Sequence, residues 1–336
     1  MQEYIFPWQQ AVWQQCQSMR SRMPHAVLLH GRPGVGKYQF ARALSQSLLC
    51  ATPNADGHAC GACQSCHWFQ ENAHPDFRLL TPETDGESES DTEASKKKPK
   101  KKTNITISQV RDLSDFMHLS GHQAHGYRVI LLHPAETLNL ASANALLKML
   151  EEPTENVIFI LVAHQLHQLL PTILSRCQKI AMPIPDATTA ADWLHAQGVT
   201  EVETWLAYYS NAPVLLADQQ TQNKNLQEIW QSLAQGSQLD PATVAVQLVS
   251  TQVEPGLNAL QKWLYDLVAL KSGCEVRYHL AHVQALQRLA ARVNLNSVFE
   301  LQKKVTALKN LAFHPLNHAL QTECLLFEYT KLFSVK

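Results

Sequence analysis

The sequence predicts an α/β P-loop module, with a parallel sheet between flanking helices, followed by an all-helical second half. Short β-branched runs alternate with segments of helical periodicity between Ala26 and about Ile180, which is the pattern of strands joined by crossover helices. A glycine-rich loop separates the first strand from the helix after it. From about Ala187 onward only helical spacing of apolar residues is found, so we expect no strands there.

The elements of the first half follow one another in a regular order. The predicted strands are 26–30, 77–80, 105–107, 127–132 and 157–163, and the predicted helices are 37–49, 109–119 and 140–152. Pro153 ends the last of these helices, because proline has no N–H to continue the hydrogen-bond ladder. The longest uninterrupted apolar run is 157–163, far short of the roughly 20 residues that cross a bilayer, so no transmembrane segment is expected.

The loop after the first strand has the spacing of a phosphate-binding loop. Gly31, Gly34 and Gly36 permit a turn whose N–H groups face an anion, and Lys37 opens the following helix, where it would reach the β and γ phosphates. These four residues are the candidate nucleotide site.

The residues that would complete an ATPase site are missing from the sequence. The position after Lys37 should carry a short hydroxyl that ligates Mg²⁺, but it carries Tyr38. The strand 127–132 runs into His133 and Pro134 where an Asp and a Glu would hold the metal and polarise water. We interpret Glu136 as an ordinary residue at a helix start, and the role of His164, after the strand 157–163, as open. ATP hydrolysis by this chain, and ATP binding itself, are therefore not expected.

Four of the eight cysteines lie close together in the sequence, at positions 50, 60, 63 and 66. Cys50, Cys60, Cys63 and Cys66 offer the four thiolates of a closed, structural Zn²⁺ site. An iron–sulfur cluster and unligated thiols are the alternatives, but ferredoxin motifs continue with three residues and a further Cys-Pro, whereas His67 and Trp68 follow here.

A charged, low-complexity insertion separates the predicted strands 77–80 and 105–107. Six acidic residues between 83 and 93 precede six lysines between 96 and 102. We interpret about 81–103 as a disordered surface loop whose charge blocks neutralise each other. A basic arm that touches DNA phosphates is the alternative.

Domain boundaries are indicated by proline. Pro183 and Pro185 precede the helical half, and the 211–213 segment, Asn-Ala-Pro, interrupts it. We expect a P-loop module at 1–184 with the zinc-binding segment at 50–66, a small helical unit at 185–222 and a larger helical domain at 223–336.

The charge of the whole chain excludes one class of function. The chain has 336 residues, with 28 Lys and Arg against 29 Asp and Glu and a net charge of −1, so no global basic field draws it to nucleic acid or to an anionic membrane. The first residues lack the basic and apolar regions of a secretory signal, and we expect a cytoplasmic protein.

Two further motifs make the pattern specific. The 143–153 segment reads Ala-Asn-Ala-Leu-Leu-Lys-Met-Leu-Glu-Glu-Pro, and the 174–177 segment reads Leu-Ser-Arg-Cys. Together with the degenerate P-loop and the cysteine quartet, they resemble the bacterial replicative clamp-loader subunits of the AAA+ superfamily. The resemblance extends over nearly the whole chain, because Asn-His-Ala-Leu at 317–320 is similar to the end of the family's last domain.

The resemblance implies an AAA+ module with a helical lid and a C-terminal collar domain, set in a five-subunit ring with gamma/tau ATPase subunits and a delta subunit. Such a ring loads the sliding clamp onto primer–template DNA, and contacts with clamp and DNA are made through the assembled complex. In lacking these metal ligands, the sequence resembles the non-hydrolysing member of the family. In that role Arg176 is the candidate catalytic residue, as an arginine finger presented in trans to a neighbouring ATPase subunit.

The alternative function is an ATP-hydrolysing motor subunit of the same loader, which would use Lys37 with an unusual metal shell. A P-loop nucleotide kinase is a third hypothesis, but such enzymes need neither the helical second half nor the cysteine quartet. Mg²⁺-dependent ATP turnover by the isolated chain would favour the motor subunit.

Overall fold

We describe a computed structural model of the chain over residues 5–82, 104–118, 126–250, 253–311 and 317–334. The chain forms two compact units, Met1–Pro185 and Asp186–Lys336. This boundary lies one residue from the predicted one at 184. The further division of the second unit at 222 stays a prediction, and the charged insertion lies, from residue 83 on, outside the described residues.

The first unit contains a five-stranded parallel sheet with the strand order β2-β3-β4-β1-β5. The strands are β1 (Ala26–His30), β2 (Phe77–Leu80), β3 (Arg128–Leu132), β4 (Val157–Ala163) and β5 (Gln178–Ala181). The helices are α1 (Gln10–Ser18), α2 (Lys37–Leu49), α3 (Gln64–Gln70), α4 (Ile107–His118), α5 (Leu140–Glu151) and α6 (Pro171–Leu174). The order of the strands places the carboxyl ends of β1, β3 and β4 side by side.

Two helical layers cover the two faces of the sheet, because successive strand residues point to opposite sides. Val27 and Leu29 of β1 share a core with α1, α2 and α3. Ala26 and Leu28 share the other core with α4, α5 and α6. Every residue of β4 is buried, as expected for the centre of a parallel sheet.

The structure confirms most of the predicted elements. The strands 26–30, 77–80 and 157–163 and the helix 37–49 agree to the residue, and the helix predicted at 140–152 ends at Glu151. The strand predicted at 105–107 is wrong: Ile105 makes one isolated bridge to Leu138, and α4 begins at Ile107. Thr106 starts this helix through a reciprocal cap, in which its N–H donates to Gln109 Oε1 (2.8 Å) and its Oγ1 accepts from the Gln109 N–H (3.4 Å).

The second unit is helical throughout the residues that the structure describes. Its helices are α7 (Ala187–Ala196), α8 (Val202–Tyr208), α9 (Pro213–Asp218), α10 (Gln220–Leu233), α11 (Pro241–Ser250), α12 (Val253–Lys271), α13 (Val283–Arg292), α14 (Leu295–Asn310) and α15 (His318–Lys331). One core contains Trp230, Trp263 and Tyr329. Trp263 Nε1 donates to Tyr329 Oη (2.8 Å), which donates to the Leu233 carbonyl (2.7 Å), so the polar groups of Trp263 and Tyr329 are satisfied.

A buried carboxylate organises the turn after α12. Asp266 is fully buried and accepts hydrogen bonds from the N–H groups of Arg277 and His279 (both 2.9 Å) and from His279 Nδ1 (2.8 Å).

Within the described residues, no helix of either unit is long and apolar enough to cross a membrane.

Candidate functional site

The glycine-rich loop between β1 and α2 has the backbone of a phosphate-binding turn. Gly34 and Gly36 have φ values of 76° and 84°, which side-chain-bearing residues rarely adopt. A Cβ atom at Gly36 would also collide with the Phe6 ring. Lys37 Nζ donates to the carbonyl oxygens of Gly31 (2.7 Å) and Arg32 (2.5 Å). The ammonium is therefore bound by its own loop, and the side chain is only 3% exposed.

A segment near the N-terminus covers this loop. Gln9 is fully buried, and its Nε2 donates to the carbonyls of Val35 (2.9 Å) and Gly36 (3.0 Å). Trp8 Nε1 also donates to the Val35 carbonyl (3.0 Å). Sequence reasoning missed these residues, because nothing in their local pattern indicates a partner more than 20 positions away.

Aromatic rings stand at the positions where an ATPase would place its Mg²⁺ ligands. Tyr38 stands at the start of α2, His133 directly follows β3 and His164 directly follows β4. The Tyr38 and His133 ring centroids are 4.6 Å apart, and those of His133 and His164 are 5.6 Å apart. The structure thus brings together the three residues that replace or accompany the missing hydroxyl and acids.

The electrostatics of this cluster follow from burial beside a cation. Burial lowers the pKa of Lys37 to about 8, against an opposing effect of the Glu136 charge. Burial, and then the charge of Lys37, lower the pKa of His133 and of His164 to about 4. Both imidazoles are therefore neutral at pH 7. Mg²⁺ prefers oxygen ligands, which these rings do not supply.

Glu136 is part of this site, and its interpretation as an ordinary helix-start residue missed that contact. It lies in a short 3₁₀ turn, Ala135–Thr137, and its Oε1 accepts the backbone N–H of His164 (2.9 Å). Its Oε2 is buried and has no hydrogen-bond partner among the described residues. The pairing of β3 with β4 brings these positions together, and a single sequence does not specify strand order.

The four predicted cysteines form one cluster. Cys50 ends α2, Cys60 lies in the following loop, Cys63 caps α3 and Cys66 lies within it. The four Sγ atoms lie within 4.8 Å of one another, with Cys50–Cys63 at 3.9 Å and Cys60–Cys66 at 4.0 Å. Thiolates about 2.3 Å from a tetrahedral Zn²⁺ are roughly 3.8 Å apart, so the donor set and its spacing fit zinc.

Hydrogen bonds to sulfur hold the cluster in place. The N–H of Cys60 donates to Cys50 Sγ and the N–H of Cys63 to Cys60 Sγ, both at 3.3 Å. The Thr52 hydroxyl donates to Cys60 Sγ (3.4 Å) and, with nearby N–H groups, lowers the pKa of the Cys60 thiol to about 6. Such bonds favour the thiolate, which is the form that binds a metal.

Helix α1 supports the loop that carries these cysteines. Trp13 Nε1 donates to the Asp56 carbonyl (3.0 Å), and its ring stacks on His58 with centroids 4.6 Å apart. Arg20 binds the end of α2 through the Ser47 carbonyl (2.7 Å) and reaches the Gly57 carbonyl (3.4 Å). The loop that carries the cysteines therefore contacts α1, the helix that directly follows Trp8 and Gln9.

Arg176 lies just after α6, and its contacts are with the ends of α5 and α6. Its Nη2 is 2.7 Å from Glu151 Oε1 at the end of α5, and its Nη1 donates to the Thr172 carbonyl (2.9 Å) and to Ser175 Oγ (3.3 Å). Its side chain is 34% exposed. The guanidinium is thus accessible from outside the chain, and Cys177 beside it is buried.

The chain is similar to proteins of bacterial replication. A family model described as DNA polymerase III, delta subunit, matches residues 8–186. DNA polymerase III subunit delta' of Pseudomonas aeruginosa is 43% identical over 190 residues, which are 56% of this chain and 52% of that protein. The subunit delta' of Yersinia pestis is 37% identical over 194 residues, 57% of this chain and 52% of that protein.

The chain therefore aligns with about half the length of these curated relatives. Among solved structures, a DNA polymerase III gamma subunit-related protein from Thermotoga maritima matches 96% of this chain and 99% of its own. That match has 17% sequence identity and a TM-score of 0.47.

Proposed function

Because this chain belongs to the DNA polymerase III delta-prime subunit family, we propose that it is a non-hydrolysing subunit of the replicative clamp loader. In this role it supports ATP-dependent loading of the sliding clamp onto primed DNA. It contributes structure to the ring and an arginine to a neighbour's active site. The gamma/tau ATPase subunits and the delta subunit are its proposed partners, in a five-subunit ring of AAA+ modules.

The observation that carries this proposal is the ring cluster beside the P-loop. Tyr38, His133 and His164 line the place where hydrolysis needs a metal bound by oxygen ligands. Lys37 is bound to loop carbonyls rather than left open towards a ligand. A loop of this kind serves as a rigid element of the fold, and ATP turnover falls to the partner subunits.

The contribution in trans rests on Arg176. A planar, permanently charged guanidinium stabilises the charge that develops on a transferred phosphoryl group, and such a group is worth about 10³–10⁵ in rate. Arg176 is one-third exposed and lies on the surface of its unit, where a neighbouring subunit's γ-phosphate would reach it.

We infer that Cys50, Cys60, Cys63 and Cys66 hold a structural Zn²⁺. The ion would tie the end of α2 to α3, and its binding free energy would add to the folding free energy of the first unit. With four protein thiolates, no coordination position is open for catalysis.

The deciding experiment measures DNA- and clamp-stimulated ATP hydrolysis by the reconstituted loader. Arg176→Ala is compared with the wild-type chain and with Arg22→Ala, an exposed arginine of the same unit, after equal assembly has been checked. A rate loss confined to Arg176→Ala is expected, because the adjacent active site should lose about 10³–10⁵-fold in rate. An unchanged rate would refute the trans role, and Mg²⁺-dependent ATP turnover by the isolated chain would instead favour a motor subunit.

A further inference from the structure

Only some of the N–H groups of the Arg176 guanidinium have partners within the described residues. An arginine side chain has five N–H donors, and three contacts are made: Nη1 with the Thr172 carbonyl and Ser175 Oγ, and Nη2 with Glu151 Oε1. Neither Nε nor Nη2 donates a hydrogen bond to a residue that the structure describes, and Nη2 makes only the ion pair with Glu151. Two donors suffice for a bidentate contact with anionic oxygens.

The Glu151 contact differs from the other two in its origin. Thr172 and Ser175 belong to the turn that leads into Arg176, and their bonds are local. Glu151 is the last residue of α5 and approaches from a different helix. It is the only charged contact of this arginine in the described part of the chain, at 2.7 Å.

The pair is too open to water to act mainly through stability. The two side chains are 34% and 49% exposed, and exposed ion pairs contribute about 1 kcal/mol or less. What a short charged contact does provide is orientation, because it selects one rotamer of a long side chain that would otherwise sample several. Catalysis depends steeply on such placement.

We propose that Glu151 is a positioning residue, which fixes the Arg176 guanidinium so that its remaining donors face a phosphoryl group bound by the neighbouring subunit. This inference rests on the proposed trans role of Arg176. Glu151 acts through Arg176 and touches no substrate. Its neighbour Glu152 has the same charge and lies at the same exposed helix end, but the structure assigns its side chain no ion pair with Arg176, so it provides a matched control.

The test is a double-mutant cycle in the reconstituted loader, read as clamp- and DNA-stimulated ATP hydrolysis. Glu151→Gln keeps the size of the side chain and removes its charge. It is expected to lower kcat by up to about fivefold, the equivalent of an exposed ion pair, with KM for ATP unchanged. Glu151→Asp should recover part of the rate, and Glu152→Gln should leave it unchanged.

The second arm separates positioning from a structural role. In the Arg176→Ala background, Glu151→Gln should cause no further loss, because a positioning residue has nothing left to orient. An equal loss in both backgrounds, or a wild-type rate for Glu151→Gln alone, would overturn the inference while the trans role of Arg176 stands. If Arg176→Ala itself leaves the rate unchanged, the proposed function fails, and that outcome is distinct from the other two.

Discussion

At the end of β3, the His133 imidazole stands where phosphoryl chemistry would need a carboxylate, and the His164 imidazole lies beside it at the end of β4. His133 and His164 are neutral at pH 7 because burial and the nearby Lys37 charge oppose their protonation. Tyr38 completes a row of rings along the loop. His133 contacts both of the other rings, and the loop carbonyls accept hydrogen bonds from Lys37 and Gln9.

The lowered pKa values predict an acid-sensitive first unit. Each of the two histidines binds fewer protons in the folded than in the unfolded chain between about pH 4 and 6.5, so their contribution to stability is full above pH 6.5 and is lost as the pH falls towards 4. In His133→Phe, the free energy of unfolding lost between pH 7 and pH 5 should be smaller than in the wild-type chain by on the order of 1 kcal/mol. Urea unfolding at pH 7 and pH 5 measures it, with exposed His167→Gln as control. An unaltered slope in His133→Phe would contradict the assignment.

Restoring a single metal ligand should not restore hydrolysis. Tyr38→Thr supplies the hydroxyl that a P-loop normally has, but His133 and Pro134 still provide no carboxylate for the metal. We expect no Mg²⁺-dependent ATP turnover from this variant. It should also lose about 1 kcal/mol of stability, because the Tyr38 ring contact with His133 is removed. A phosphate-release assay on the isolated variant, beside thermal unfolding, checks both expectations, and measurable turnover would show that the other residues suffice.

At the scale of elements, the cysteine loop joins three helices. Cys50 ends α2, Cys63 and Cys66 begin α3, and Trp13 and Arg20 attach the loop to α1 and the turn after it. Loss of the proposed zinc ion should therefore disturb the layer formed by these helices rather than one loop.

Cys63→Ser is expected to abolish binding of the proposed zinc ion and to lower the stability of the first unit, since structural zinc contributes folding free energy directly. Elemental analysis and thermal unfolding provide the two readouts. Cys274→Ser is the matched control, because Cys274 is exposed in the second unit and lies outside the cluster. Native protein with neither zinc nor iron, or a variant that keeps its full metal content, would contradict the quartet assignment.

Elements with strong local signals could be predicted from the sequence, and those that depend on pairing could not. The 26–30 strand and the 37–49 helix have clear periodicity and a glycine-rich loop between them. The 105–107 run has the composition of a strand, but the Thr106–Gln109 cap overrides its β-branched residues. The β5 strand was not predicted, because it is a short edge strand and only Ile180 among its four residues is buried.

The candidate sites divide in the same way. Sequence spacing was enough to group the four cysteines and the P-loop residues, since each set is local in the chain. The contact of Glu136 with His164, the Gln9 cover and the Glu151–Arg176 pair all join residues from different elements. They depend on strand order and helix packing, which cannot be derived from the local pattern of one sequence.

At the scale of the molecule, each unit has its own core. The sheet cores lie within Met1–Pro185, and the core around Trp230, Trp263 and Tyr329 lies within Asp186–Lys336. Separate cores allow separate unfolding, and a single free energy then does not describe the whole chain.

We therefore predict two thermal transitions that respond to different perturbations. Chelation of the proposed zinc ion should lower the unfolding temperature of the first unit only. Leu326→Ala, at a fully buried position in the second unit, should lower the other transition by removing about 2–5 kcal/mol of stability. Differential scanning calorimetry of the intact chain resolves the two, and one transition that shifts as a whole under either perturbation would show that the units unfold together.

The stacking of Trp13 on His58 gives the chain a built-in optical reporter. The indole lies 4.6 Å from the imidazole and donates to the Asp56 carbonyl, both in the loop between Cys50 and Cys60. Any rearrangement of that loop changes the surroundings of this fluorophore. The difference in emission between the wild-type chain and Trp13→Phe isolates its signal from those of the other tryptophans, so loss of the proposed zinc ion can be followed in real time without an added dye.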